Sequence, residues 1–154
     1  MSFRLYGADN QLPPHGTRPI ASGEEFETGS LLLVDAAGAY VECGANPALV
    51  AAVSTGPAGV GSGPLFPVGT REFPPGMVTG TKAGGPRFSA EFVGALGTPQ
   101  VAYGVTAGAD GQWRVDFAKT GATARVTFLE SVNNGISPVG RVIVRFLDAN
   151  VQPS

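Results

Sequence analysis

The sequence predicts an all-β chain, a small β-barrel or sandwich of about ten short strands, on three observations. Short runs rich in Val, Phe, Leu and Thr are punctuated by breakers, Gly 23 and Pro 13 in 154 residues, which marks many strands joined by turns. Several runs alternate apolar and polar residues with period two, so each offers one face to a core and the other to water or a partner. No heptad and no helical periodicity runs through the chain.

Residues 1–22 read as an extended N-terminal arm. Leu12-Pro13-Pro14-His15-Gly16 cannot continue a helix or a central strand, and such a segment must satisfy its backbone donors across its own domain or on a neighbour. Residues 23–154 form the single β domain. Leu31–Val34 and Ala39–Cys43 are two strands around the short loop Asp35-Ala36-Ala37-Gly38. Ala48–Val53, bounded by Pro47 and Pro57, is a further buried strand.

From 56 to 76 breakers dominate, which predicts a long surface excursion with one short strand at Thr70–Phe73; loops of this length usually carry contacts or function. The clearest alternation follows. Arg87–Phe92 and Trp113–Phe117 each present one apolar face, and Gln100–Thr106 leads through Asp110-Gly111 into a predicted hairpin, since both turn residues tolerate positive φ. Ala124–Leu129 and Val139–Leu147 complete the set. In the last, Val142, Val144 and Phe146 face one way and Arg141, Ile143 and Arg145 the other; an isoleucine between two arginines suits an oligomer contact, with an ordinary amphipathic strand as the alternative.

A single domain of this length buries a real core, with a radius of gyration of roughly 15 Å if compact. Charged residues are only 14% of the chain, against about 25% in ordinary soluble domains, so self-repulsion is weak and partners are expected. Ten basic and twelve acidic residues leave a net charge of −2 with no basic block, which argues against nucleic acid as a partner. No apolar run approaches the roughly 18 residues of a membrane span, and Met1–Tyr6 has no signal-peptide pattern. No membrane partner is therefore expected, and synthesis is expected in the cytoplasm.

Chemistry-bearing residues are sparse. His15, the sole histidine, lies in the Pro-rich arm, where nothing predicts the rigid surround that a general base requires. Cys43 is also the sole residue of its kind, which excludes an internal disulfide and a Cys-based zinc site; it reads as a small apolar filler. Glu24, Glu25 and Glu27 form the one acidic cluster, and Gly59-Val60-Gly61-Ser62-Gly63 lacks the Lys-Ser/Thr of a phosphate loop. No catalytic, cofactor or metal site is predicted, and the chain is expected not to be an enzyme.

Two stretches carry a resemblance. Phe26-Glu27-Thr28-Gly29-Ser30-Leu31-Leu32-Leu33-Val34-Asp35 with Gly38-Ala39-Tyr40-Val41-Glu42, and Tyr103-Gly104-Val105 through Asp110-Gly111-Gln112-Trp113-Arg114-Val115-Asp116-Phe117, are similar to the strand-turn-strand opening and the later hairpin of tailed-phage head decoration, or cement, proteins. The resemblance implies a barrel or tulip-like domain, homotrimers at the local symmetry axes of a capsid, and a terminal arm gripping the major capsid protein on the outer head surface of the virion. The 56–76 excursion and the long second half depart from the smallest members. For the arm, Phe3, Arg4, Leu5, Tyr6 and Arg18 are the expected capsid-binding residues, because apolar, aromatic and arginine anchors carry most interface energy. Two rival readings remain: a phage tail-associated or receptor-binding β module using the 56–76 loop, and a small hydrolase using a carboxylate pair such as Asp116 with Glu91.

Overall fold

The computed structural model describes residues 3–7, 15–58, 76–132 and 140–153. These hold twelve strands: β1 (Arg4–Gly7), β2 (His15–Pro19), β3 (Leu31–Val34), β4 (Tyr40–Glu42), β5 (Ala52–Ser54), β6 (Met77–Lys82), β7 (Arg87–Ala90), β8 (Phe92–Val93), β9 (Ala102–Ala107), β10 (Trp113–Asp116), β11 (Val126–Ser131) and β12 (Val142–Phe146). Single 3-10 turns at Gly121–Thr123 and Asp148–Asn150 are the helical content of the described residues. The fold is all-β, as the sequence predicts.

The strands form a seven-stranded sheet, β1-β7-β12-β11-β9-β10-β8, and a five-stranded sheet, β2-β6-β5-β3-β4. Both sheets curl. Only Glu91 separates β7, which lies next to the edge strand β1, from β8, which forms the opposite edge and pairs in parallel with β10, so the chain segment 87–93 spans the seam of the curl. In the smaller sheet a single bridge, Ile20 to Tyr40, joins the two edges. Neither sheet is a closed barrel, because at each seam the continuous ladder is missing.

The main core fills the concave side of the larger sheet. Phe3, Phe88, Phe128, Phe146, Trp113 and Val115 are buried there with Leu31, Cys43, Val50 and Val53 from the smaller sheet. Phe146 meets Phe88 edge-on at 5.5 Å and Phe3 at 5.7 Å. Polar contacts fasten the two sheets: Trp113 Nε1 donates to Glu42 Oε2 at 3.0 Å, and Arg125 donates to the Pro47 carbonyl. A second apolar cluster of Leu32, Tyr40, Ala52, Val78, Phe26 and Ala58 lies within the curl of the smaller sheet.

Local chemistry explains the turns. Gly38 takes a φ of +85° between β3 and β4, and Asp35 Oδ1 accepts from the backbone N–H of Ala37 and Ala39, each at 2.9 Å. That side chain organises the loop as an Asx turn. The Asp110-Gly111 hairpin forms as predicted, with Gly111 at a φ of +77°.

The N-terminal segment takes the first of its two options. Its described parts lie across their own domain: β1 pairs with β7, and β2 pairs along its whole length with β6. Phe3 is therefore corrected from a capsid-binding residue to a core residue, fully buried against Phe146. Leu5 stands opposite Phe88 and so points to the same interior side. The predicted strand Ala48–Val53 shortens to Ala52–Ser54, because Val50 instead bridges Val151 and its N–H binds the Asn150 carbonyl. The predicted strand at Thr70–Phe73 and most of the 56–76 excursion lie outside the described residues.

Candidate interaction surface

Ladder register decides which side chains leave the core of the larger sheet. Arg4 stands opposite Ser89, Ser89 opposite Ile143, and Ile143 opposite Glu130. Arg4, on β1, thus shares the convex face of the sheet with Arg141, Ile143 and Arg145, a join that runs through β7 and that sequence spacing alone does not reveal. Arg87, on the same face of β7, lies 5.7 Å from the Tyr6 ring centroid, a cation–π contact. Arg114 of β10 faces the same way, since its neighbours Trp113 and Val115 are in the core. Five of the eight arginines in the chain therefore decorate one face.

Glu91, at the seam of the curl, binds two of them: Arg114 Nε at 3.3 Å and Arg141 Nη1 at 3.8 Å. Arg141 also lies along the sheet to donate to Ser89, Nε to Oγ at 2.7 Å and Nη2 to the carbonyl at 2.9 Å. Its pKa is lowered by burial and then by the nearby Arg4 cation, with Glu91 opposing. Asp110 grips Arg114 through both carboxylate oxygens, at 3.1 and 2.8 Å, and this pairing holds the Asp110 carboxyl well below the usual carboxylate range. Ile143 is corrected as an oligomer contact: it is 1% exposed, so any contact there falls to Arg141 and Arg145.

Two residues beyond Glu91, Val93 emerges on the same convex face and begins a loop that sequence reasoning passed over. Val93, Leu96 and Val101 are 37%, 53% and 41% exposed, and from Phe92 to Ala109 no residue is charged. The loop is held firmly. Thr98 N donates to Tyr103 Oη at 2.8 Å, and Gln100 N donates to the Phe128 carbonyl at 2.7 Å. Gln100 has a φ of +70°, a left-handed conformation that non-glycine residues seldom adopt. A Cβ on Gly97 would stand 2.5 Å from the Tyr103 ring and 2.6 Å from the Phe117 ring, so only glycine lets the loop settle there. Beneath it, Phe117 packs edge-on against Tyr103, Phe128 and Phe92 at 4.8 to 5.3 Å. The available sequence signal was the uncharged run itself, since connecting loops are ordinarily polar.

The remaining sites of chemical interest lie elsewhere. Arg18 sits on β2 in the other sheet, away from Arg4 and Tyr6, and donates to the Gly38 carbonyl at 3.3 Å. His15 Nδ1 bonds Thr81 Oγ1 at 3.1 Å. Cys43 is buried, and desolvation, with a smaller effect of Glu42, pushes its thiol up to about 12. Glu91 is engaged by arginines, and Asp116 Oδ1 accepts from Ala118 N at 3.0 Å. Among the described residues no group of three or more His, Cys, Asp or Glu is placed to hold a metal ion, and no helix is long and apolar enough to cross a membrane. No family model, curated protein or solved structure matches the chain.

Proposed function

We propose that this chain is a non-enzymatic adhesive protein of a virion: a homotrimeric decoration (cement) protein that binds the outer surface of the major capsid protein lattice of a tailed phage and stabilises the filled head. The observation that carries the reading is the rigid, uncharged loop 93–101, with Val93, Leu96 and Val101 exposed, beside the arginine-bearing face. Apolar side chains held in place lose little conformational freedom on docking, so more of their contact energy becomes affinity. An apolar patch next to a face that bears arginines and Tyr6 has the composition of protein interfaces. Three copies on one lattice turn weak contacts into attachment, with avidity rising by roughly 10² to 10⁴.

The chemistry of the scarce reactive residues supports an adhesive role. A thiol raised to about 12 is a poor nucleophile at neutral pH, because the thiolate is the reactive form. His15 stands on an exposed strand bonded to a hydroxyl, and among the described residues no carboxylate bonds its ring to orient it for base catalysis.

Immunogold electron microscopy of the virions that carry this protein tests the reading. Label over the head surface is the expected result; label confined to the tail favours the tail-associated alternative and overturns this one.

A further inference from the structure

Where β2 and β4 meet, the curl of the five-stranded sheet is not filled to its end. The interior side chain there is Tyr40, which reaches across from β4 to donate to the Gly16 carbonyl of β2 at 3.1 Å. Gly16 and Gly80 stand opposite one another and leave room for the phenol; a Cβ on Gly80 would come within 3.1 Å of its oxygen. Beyond the Tyr40 ring a cavity of about 300 Å³ opens at the mouth of the curl. Mouths of curled and barrelled sheets are recurrent small-ligand sites.

Two cations line this mouth, Arg18 and Lys82. The register places Arg18 opposite Val78 and Lys82 opposite Ala52, both residues of the inner cluster, so the two cations belong to the inward side of the sheet. Arg18 spends one long bond on the Gly38 carbonyl and touches the Tyr40 hydroxyl, which leaves most of its five donors unspent. The Lys82 side chain, at the ladder position opposite Ala52, makes no hydrogen bond or ion pair among the described residues. The one acid at the rim, Asp35, has an oxygen committed to two backbone N–H groups of its turn. Gln152 is likewise spent, clamping the N–H and carbonyl of Val34 at 2.9 Å each. Val34 and Val151 supply apolar lining to the same cavity.

We propose that this mouth is a binding site for a carboxylate carried on a short aliphatic body. A guanidinium and an ammonium lining one mouth can each take an oxygen of a carboxylate, and the two valines take the aliphatic part. The cavity volume suits a free short-chain carboxylic acid or the last residue of a peptide with a free C-terminus. The site is independent of the capsid-binding role, since it lies on the other sheet.

The test is amide NMR titration of the full-length protein at neutral pH with isobutyrate, with isobutyramide, and with a short peptide ending in Val as the free acid and as the amide. Shifts centred on Tyr40, Lys82, Gly84 and Gln152 with the free acids, and their absence with the two amides, are expected; the response to isobutyrate against the peptide separates the two carboxylate sources. Lys82→Gln, whose side chain makes no internal bond, should weaken binding about tenfold or more while leaving the rest of the spectrum unchanged. Equal binding of acids and amides, binding indifferent to Lys82→Gln, or no shift by any free acid at millimolar concentration overturns the proposal.

Discussion

The inside of the seven-stranded sheet is packed with rings, among them Phe3, Phe88, Phe128, Phe146 and Trp113, all at most 1% exposed. The five-stranded sheet curls instead around a cluster that holds one buried tyrosine, with glycines facing it and a cavity beyond. Filling decides what each sheet can offer. A fully packed interior makes a rigid platform, so the larger sheet acts through what stands on its convex side and in its loops. The smaller sheet stops short of filling and keeps cations at its mouth.

If that contrast is right, substitutions should separate the sheets in a definite order. The largest effect belongs to Phe146→Ala, which removes the ring between Phe3 and Phe88 and should destabilise by about 3–5 kcal/mol in denaturant unfolding. A cost under about 1 kcal/mol would mean that the larger core is loosely filled. Gly80→Ala should cost less, about 1–3 kcal/mol by overpacking, since its Cβ would fall 2.8 Å from the Ala52 Cβ and 3.1 Å from the Tyr40 oxygen. If this variant is instead neutral, the smaller curl has slack that the geometry denies.

Cys43, packed where the two sheets meet, gives a pH-dependent probe of that junction. Its thiol pKa is raised in the folded protein, from the ordinary value of 9.0 to about 12, so between those values the folded state holds a proton that the unfolded state has lost. Its contribution is fully present below the unfolded pKa and is lost as pH rises toward about 12. Cys43→Ala should therefore show a flatter alkaline decline in Tm than the wild type above pH 9; parallel declines would place the thiol in contact with water. The smallest effect is at Asp110, whose pKa is lowered chiefly by Arg114. Its stabilisation is present above the ordinary carboxylate pKa and fades as pH falls toward the depressed folded value. Asp110→Asn should slightly reduce the acid sensitivity of Tm, and an unchanged acid limb would show that solvent screens the pair.

Much of this architecture is legible in residue order. Period-two alternation places Phe88, Val142, Val144 and Phe146 inside, Asp110-Gly111 marks the hairpin, and Gly38 marks the turn between β3 and β4. What sequence order hides is everything that depends on pairing between distant strands. Arg4 and Arg141 come close only because β7 lies between their strands, and Ile143, read as outward from alternation, is outward yet covered. The N-terminal prolines suggest an arm reaching a neighbour, but β1 and β2 find ladder partners at home. Loop 93–101 carries no motif, and its uncharged run does not reveal its rigidity, which comes from Tyr103, Phe117 and Phe128 packed beneath it. The Arg18, Lys82 and Tyr40 mouth is assembled from three strands, and nothing in their spacing announces it.

Under the proposed function, the rigid apolar loop on the larger sheet is what attaches this protein to a capsid lattice. Cosedimentation with undecorated heads, comparing the wild type with Leu96→Asp/Val101→Asp, addresses it directly. Both positions are exposed, so the double variant should keep its fold, with each change in stability within about 0.5 kcal/mol, and should lose binding by about a hundredfold or more if the two side chains are interface anchors. Saturable wild-type binding with that loss is the predicted result. Equal binding by the two proteins, or no binding of the wild type to heads, would contradict it.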